Sequence, residues 1–169
     1  MIKKEGLIRI GVLSDTHIPR RAKAIPSIVL EGLKDVDLII HAGDLLKDYV
    51  IYELQEIAPV EAVAGNVDDE YVNSILGRRK IVSVGDCRIG IVHGDGSSGT
   101  TFQRVKKTFI NDNVDCVVFG HSHIPHNEKV NGVLYFNPGS PTDKRRQKEY
   151  SYGIISIQND IITGEIIYF

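Results

Sequence analysis

Tryptophan is absent from the 169-residue chain, methionine occurs once and cysteine only twice. Two cysteines cannot supply a thiolate cage for zinc or an iron–sulfur cluster, nor the several bridges that staple small secreted domains. Cys87 and Cys116 lie within strand-like apolar runs, without a partner at metal-binding spacing. They read as small core residues of a cytosolic protein, with a single disulfide between them as the alternative. Neither charge is in excess, since 20 Lys and Arg face 22 Asp and Glu for a formal net charge of −2. That lacks the basic footprint of a general nucleic-acid binder, so any anion must be held locally. No apolar run has membrane-spanning length. The opening "MIKKEGLIRIGVL" is interrupted by Arg9 and leads into a Gly/Ser/Asp turn, which fits neither a signal peptide nor a membrane span. There is also no internal repeat, low-complexity tract or linker. One domain over residues 1–169 is expected, located in the cytoplasm, with homo-oligomerisation left open.

What is present is an ordered alternation. "LIRIGVL" (Leu7 to Leu13) reads as a strand, "IPSIVLEGL" (Ile25 to Leu33) as a helix and "DLII" (Asp37 to Ile40) as a second strand. Leu45 to Ile57 places Leu46, Val50, Leu54 and Ile57 at helical spacing, and Val60 to Ala64 follows as a third strand. Such a βαβαβ series predicts parallel pairing through right-handed crossovers. The second half reads as hairpins, with turns at Gly85-Asp86, Asn131-Gly132 and Asn159-Asp160, plus one helix about Thr101 to Ile110 ahead of the strand "DCVVFG". Strands such as "CVVF" and "DLII" look buried on both faces, which predicts two sheets packed together with helices outside. The clusters Arg78-Arg79-Lys80 and Lys144-Arg145-Arg146 read as solvated loops.

The polar residues collect at the ends of the apolar strands. The first ends in Ser14, Asp15, Thr16 and His17, the second in Gly43 and Asp44, the third in Gly65 and Asn66. "RIGIV" ends in His93, Gly94 and Asp95, and "DCVVF" ends in Gly120, His121, Ser122 and His123. Any one of these is an ordinary turn, because Gly, Asp and Asn tolerate turn geometry. Together they put a metal-capable side chain at five strand ends, on the edge where open α/β sheets carry their sites. Asp15, His17 and His123 with Asp44 compose one mixed nitrogen and oxygen site. Asn66, His93 and His121 with Asp44 compose another, the carboxylate being able to bridge two cations. This donor set suits Mn²⁺, Ni²⁺, Fe²⁺, Co²⁺ or Zn²⁺, while Mg²⁺ alone is a poor match for so many imidazoles.

"DTH", the "GD" at Gly43-Asp44, the "GN" at Gly65-Asn66, His93-Gly94 and "GHSH" occur in the order of the five motifs of the calcineurin-like metallophosphoesterases, which the chain therefore resembles. The shortness and the "GN-x-D" form at Gly65 to Asp68 are similar to the compact bacterial and archaeal phosphodiesterase branch. That branch has a relative in the eukaryotic retromer coat that lacks activity. The resemblance implies an α/β fold, a four-layer αββα sandwich of two mixed sheets flanked by helices. It further implies two divalent metals per chain, most simply Mn²⁺, held by the seven residues above with Asp44 bridging. The implied reaction is hydrolysis of a small phosphodiester by in-line attack of a hydroxide bridging the two metals. Asp44, Asn66, Asp68 and His93 are the residues implied to act in catalysis; no long nucleic acid and no membrane is expected as partner. The alternative is a metal-binding interaction scaffold of the same fold without activity.

Val67 departs from the wider family, in which a histidine often follows the asparagine and serves the leaving oxygen. Diesters and activated monoesters are therefore the expected substrates. Asp68 is read either as orienting a ligand imidazole or as the N-cap of a helix over "DEYVNSIL". His41 is read as a strand or supporting residue rather than a ligand, His126 as lining the substrate pocket or as a solvated loop residue. Asn137 and Ser140 in "FNPGS" are read as shaping a loop under the site.

Overall fold

The computed structural model describes residues 6–169. The opening five residues of "MIKKEGLIRIGVL" lie outside the described range. The elements run β1 (Ile8–Leu13), α1 (Ser27–Gly32), β2 (Leu38–His41), α2 (Tyr49–Gln55), β3 (Val60–Ala62), α3 (Glu70–Leu76), β4 (Arg79–Val84), β5 (Cys87–Val92), α4 (Thr101–Thr108), β6 (Cys116–Val118), β7 (His126–Val130), β8 (Val133–Asn137), β9 (Ser151–Gln158) and β10 (Ile161–Tyr168). They form two five-stranded sheets, ordered β10-β9-β1-β2-β3 and β4-β5-β6-β8-β7. In the first, β1, β2 and β3 are parallel and β9 returns antiparallel on β1. In the second, β5, β6 and β8 are parallel, with β4 and β7 antiparallel at the edges.

Alternation explains the layers. Ile10 and Val12 of β1 and Leu38 and Ile40 of β2 turn inward onto Ile89, Ile91, Val118 and Phe136, forming a core between the sheets. The intervening Leu13 and Ile39 turn outward and are covered by Val29 and Leu33 near α1, Val50 and Leu54 of α2 and Val72 of α3. On the other side α4 lays Val105 and Phe109 over Val117 and Phe119. These are the four αββα layers expected. Strands buried on both faces need apolar residues at every position, hence the continuous runs "DLII" and "CVVF". Cys87 and Cys116 are free and buried in the inter-sheet core. Among the described residues no helix is long and apolar enough to cross a membrane.

Two expectations need correction. The helix predicted from Leu45 begins only at Tyr49, because Leu45 and Leu46 are buried in a loop where Leu46 takes the left-handed φ of 79° and bridges to Ile18. Their helical spacing reports burial, not helix. The Arg78-Arg79-Lys80 run is not a solvated loop: Arg79 and Lys80 begin β4, and Arg78, Arg79 and Lys80 pair with Asp95, Asp112 and Glu61. Arg145 and Arg146 are exposed, as expected.

Phe136 is among the largest fully buried side chains of the core between the sheets. Phe136→Ala should lower unfolding free energy by about 3–5 kcal/mol in a urea titration; a loss under about 1 kcal/mol would show that the sheets do not depend on this packing.

Candidate metal centre

Because β1, β2 and β3 in one sheet and β5, β6 and β8 in the other are parallel groups, their carboxyl ends deliver the polar residues of both sheets to one edge. The carboxylates of Asp15 and Asp44 sit at the centre, 0% and 3% exposed. Asp15 Oδ2 accepts hydrogen bonds from Ser14 Oγ at 2.7 Å and the His121 N–H at 3.0 Å. Its Oδ1 instead faces the Nε2 atoms of His123, His17 and His93 at 3.4, 3.7 and 3.8 Å. Asp44 is split in the same way. Its Oδ1 accepts the Val67 N–H at 3.0 Å, while Oδ2 lies between His93 Nε2 at 3.1 Å and His17 Nε2 at 3.4 Å.

The imidazoles are oriented from behind. His93 Nδ1 donates to the Ala42 carbonyl at 2.7 Å and His123 Nδ1 donates to the Asp143 carbonyl, so each turns its Nε2 toward the carboxylates. His121 is half-buried, its Nδ1 3.2 Å from Oδ1 of the exposed Asn66. Its ring stands edge-on to His93 with centroids 5.2 Å apart. The structure thus brings Asp15, His17, Asp44, Asn66, His93, His121 and His123 together, as the strand-end pattern predicts. Two overlapping groups, Asp15 with His17 and His123, and Asp15 with Asp44 and His93, offer ligand atoms close enough for a metal ion among the described residues.

The backbone is held in costly conformations to do this. Asp15, His17, Asp44, His121 and His123 all adopt positive φ, between 49° and 68°, at roughly 1–2 kcal/mol each for a side-chain-bearing residue. Such strain concentrates where side chains must be aimed. The glycines of the motifs answer a separate need, close approach. A Cβ on Gly65 would lie 2.0 Å from Asp44 Oδ1, and one on Gly120 would lie 1.9 Å from Ser14 Oγ and 2.7 Å from Asp15 Oδ2.

Supporting contacts link the loops. His41, the last residue of β2, accepts the Gly43 N–H at Nδ1 (3.2 Å) and therefore donates from Nε2 to Thr16 Oγ1 at 3.1 Å, tying the Asp15 and Asp44 loops. Asp68 neither contacts an imidazole nor caps the helix, contrary to both expectations. Its carboxylate accepts the N–H groups of Asp44, Leu46 and Gly65 at 2.9, 2.7 and 2.6 Å, and the cap of α3 is Asp69. Asn137 donates to the Gly120 carbonyl and to Ser122 Oγ, and Ser140 Oγ donates to the Asp15 carbonyl, so "FNPGS" does underlie the site.

Three residues escaped the sequence reading. Asp143 Oδ2 lies 3.8 and 3.9 Å from Nδ1 of His17 and His123, and Arg21 Nε pairs with it at 3.3 Å. Arg78 joins the Gly65 carbonyl to Asp95, clamping together the loops that carry Asn66 and His93. The only available sign was the polar character of residues 141–146 and the basic cluster at 78–80.

Burial and the facing charges oppose each other in setting the charge state. It would push the imidazoles of His17 and His93 down, but the Asp15 and Asp44 carboxylates outweigh it and raise both to about 9. Burial would likewise push Asp15 and Asp44 up, yet the imidazoles facing them, His123 and His17 for Asp15 and His17 and His93 for Asp44, hold both well below the ordinary carboxylate range. Burial drives His41 down to about 3, leaving it neutral. Even so, Asp15 Oδ1 and the Nε2 atoms of His17, His93 and His123 are buried without a hydrogen-bond partner. Buried polar atoms are rarely left so. Convergent, unpartnered imidazole and carboxylate atoms fit a divalent cation of the Mn²⁺, Fe²⁺, Ni²⁺ or Zn²⁺ kind.

Residues 8–160 match the model of the calcineurin-like phosphoesterase superfamily domain. A protein of Methanothermobacter thermautotrophicus called a "probable metallophosphoesterase" is 36% identical over 158 residues, spanning 94% of this chain and 91% of its own. A phosphodiesterase of Methanocaldococcus jannaschii is 31% identical over 147 residues, spanning 78% of this chain and 83% of its own. The solved structure of vacuolar protein sorting 29 from Cryptosporidium parvum superposes with a TM-score of 0.76 over 98% of this chain and 99% of that one; at 20% identity the likeness is one of fold.

A cation must displace the protons of His17 and His93, and raising the pH removes that competition. Affinity for Zn²⁺ or Mn²⁺, measured by calorimetry, should therefore climb from pH 7 toward 9, by up to about tenfold per pH unit for each proton displaced, then level off. An affinity that is flat over this range would show that these imidazoles are already neutral.

Proposed function

The chain belongs to the calcineurin-like phosphoesterase superfamily, in its compact branch related to the retromer subunit, and we propose that this metal-dependent phosphoric ester hydrolase acts on small phosphodiesters with two divalent cations, Mn²⁺ the best suited. The observation that carries this reading is the set of four buried atoms without hydrogen-bond partners around Asp15 and Asp44. On this reading Asp15, His17 and His123 hold one cation, Asn66, His93 and His121 the other, and Asp44 both. Cations held there supply a water of lowered pKa and neutralise charge on the phosphate.

The chain's own residues do the rest. Asp44 Oδ2, set between His17 and His93, is the atom placed to serve both groups. His93 and His123 are fixed as Nε2 ligands because their Nδ1 protons are committed to carbonyls. Asn66, the exposed member, stands with the half-buried His121 on the side from which substrate arrives. Asp68 is a positioning residue, since what it touches is the backbone of the Asp44 and Asn66 loops. Val67 contributes only its N–H, to Asp44, so no imidazole protonates the leaving oxygen from that position. A good leaving group removes the need, which favours diesters and aryl esters over alkyl monoesters. A net charge of −2 argues for small substrates over long nucleic acids.

The purified chain loaded with Mn²⁺ should hydrolyse bis(p-nitrophenyl) phosphate, and turn over an alkyl phosphate monoester about 100-fold or more slowly. Asp44→Ala should remove activity while circular dichroism stays native; unchanged turnover would sink the assignment. Arg78→Ala should lower metal affinity about tenfold, as the loss of a contact behind the ligands does. A scaffold without activity is the alternative that the fold likeness to vacuolar protein sorting 29 raises. Mass spectrometry of the reconstituted chain combined with turnover separates the two, with two cations per chain and hydrolysis expected, and a loaded chain without hydrolysis favouring the scaffold.

A further inference from the structure

Beside the centre, at the start of α4, lies a cleft of about 290 Å³ lined by Thr101, Phe102, Phe119, Ser122, Ile124 and His126. It lies at the low end of the size of small-ligand sites, about 300–1,000 Å³. Ser122 is the link to the candidate centre: it lines the cleft, while its neighbours His121 and His123 face Asn66 and Asp15. One short loop therefore supplies both donors for the cations and a wall of the cleft.

The chemistry of the walls selects the occupant. Phe102, Phe119 and His126 form an aromatic cluster, with ring centroids 4.7 Å apart for Phe102 and His126, 5.7 Å for Phe119 and His126 and 6.4 Å for Phe102 and Phe119. Ile124 stands at the lip, 53% exposed. The two threonine hydroxyls nearby are already engaged. Thr100 Oγ1 accepts the Gln103 N–H in the helix cap and Thr101 Oγ1 accepts from Arg104, while His126 Nε2, 3.2 Å from a Glu128 oxygen, is buried without a hydrogen-bond partner. Walls of this kind offer mainly stacking and apolar contact, with His126 Nε2 as an unpartnered polar atom among the rings, which suits a flat ring better than a sugar or a peptide.

We propose that this cleft seats the aromatic ring of a substrate ester group while the phosphate occupies the metal centre, so that aryl or nucleoside phosphodiesters are preferred to alkyl ones. The proposal rests on the phosphodiesterase reading, and equilibrium binding tests it apart from turnover. On the zinc-loaded chain, NMR titration should show phenyl phosphate binding about tenfold more tightly than methyl phosphate, with shifts at Ile124 and Phe102. Ile124→Ala and Phe102→Leu should each narrow that ratio about threefold. Equal affinities for the two ligands, or a ratio unchanged in both variants, would overturn the proposal. A nucleoside 5′-monophosphate distinguishes the source of the ring: tighter binding than phenyl phosphate points to nucleotides, equal binding to simple aryl esters, and both support a ring site. A retained ring preference in a chain that fails to hydrolyse bis(p-nitrophenyl) phosphate would overturn the phosphodiesterase reading and leave the cleft standing.

Discussion

Two carboxylates buried side by side dominate the physics of this molecule. Asp15 and Asp44 are removed from water at one sheet edge, where like charges repel and desolvation is costly. Each is held by dividing its oxygens. One is committed to hydrogen-bond donors of the chain, Ser14 and the His121 N–H for Asp15, the Val67 N–H for Asp44. The other faces imidazoles. The carboxylates in turn raise the proton affinity of the facing His17 and His93, against the pull of burial. The hydrogen bonds among these groups are incomplete, and the geometry is better matched to a cation than to protons.

Everything nearby serves that placement. Five of the proposed ligands sit on left-handed backbone, a conformation that persists only where the surroundings over-determine it. Those surroundings are identifiable. His41 fastens the turn after β2 to the loop after β1, Asp68 gathers three backbone N–H groups, and Asn137, Ser140 and Thr142 brace the loops from below. Asp68 gains no salt bridge by this, and burial and the neighbouring Asp44 raise its affinity for a proton. Its role is structural in the strict sense, setting where Asp44 points. The glycines beside these residues are needed because Gly65 packs against Asp44, and Gly120 against Ser14 and Asp15, at distances no side chain could share.

The layers and the gathering of seven polar residues at one edge could be read from the amino-acid order because both follow from local regularities. Period-two alternation marks strands such as Leu7 to Leu13, and parallel pairing brings their polar ends together without further information. Contacts that depend on three-dimensional closure could not be read in that way. Arg78 looked like one of three solvated charges, since its partners Gly65 and Asp95 are set by how separate loops meet. Asp143 lies on a segment without periodicity, and nothing local shows that its carbonyl meets His123. Leu45 and Leu46 misled for the opposite reason: their helical spacing is real, but it arises from burial on an irregular loop. Asp68 was marked by its neighbours Gly65 and Asn66, yet its role depends on backbone donors, which leave no trace in side-chain identity.

The pairing of β1 with β9 has a further meaning for how the protein comes into being. Ile8 lies opposite Ile157 and Val12 opposite Gly153, so the strand that precedes Asp15 and His17 completes its sheet only with a segment made much later. Contacts so distant in sequence form slowly. On the ribosome the donors before Asn66 are synthesised early, but the segment that braces Asp15 through Ser140, and the neighbour of β1, are still to come. The edge that gathers Asp15 and His17 is therefore complete only once residues far apart in the chain have met.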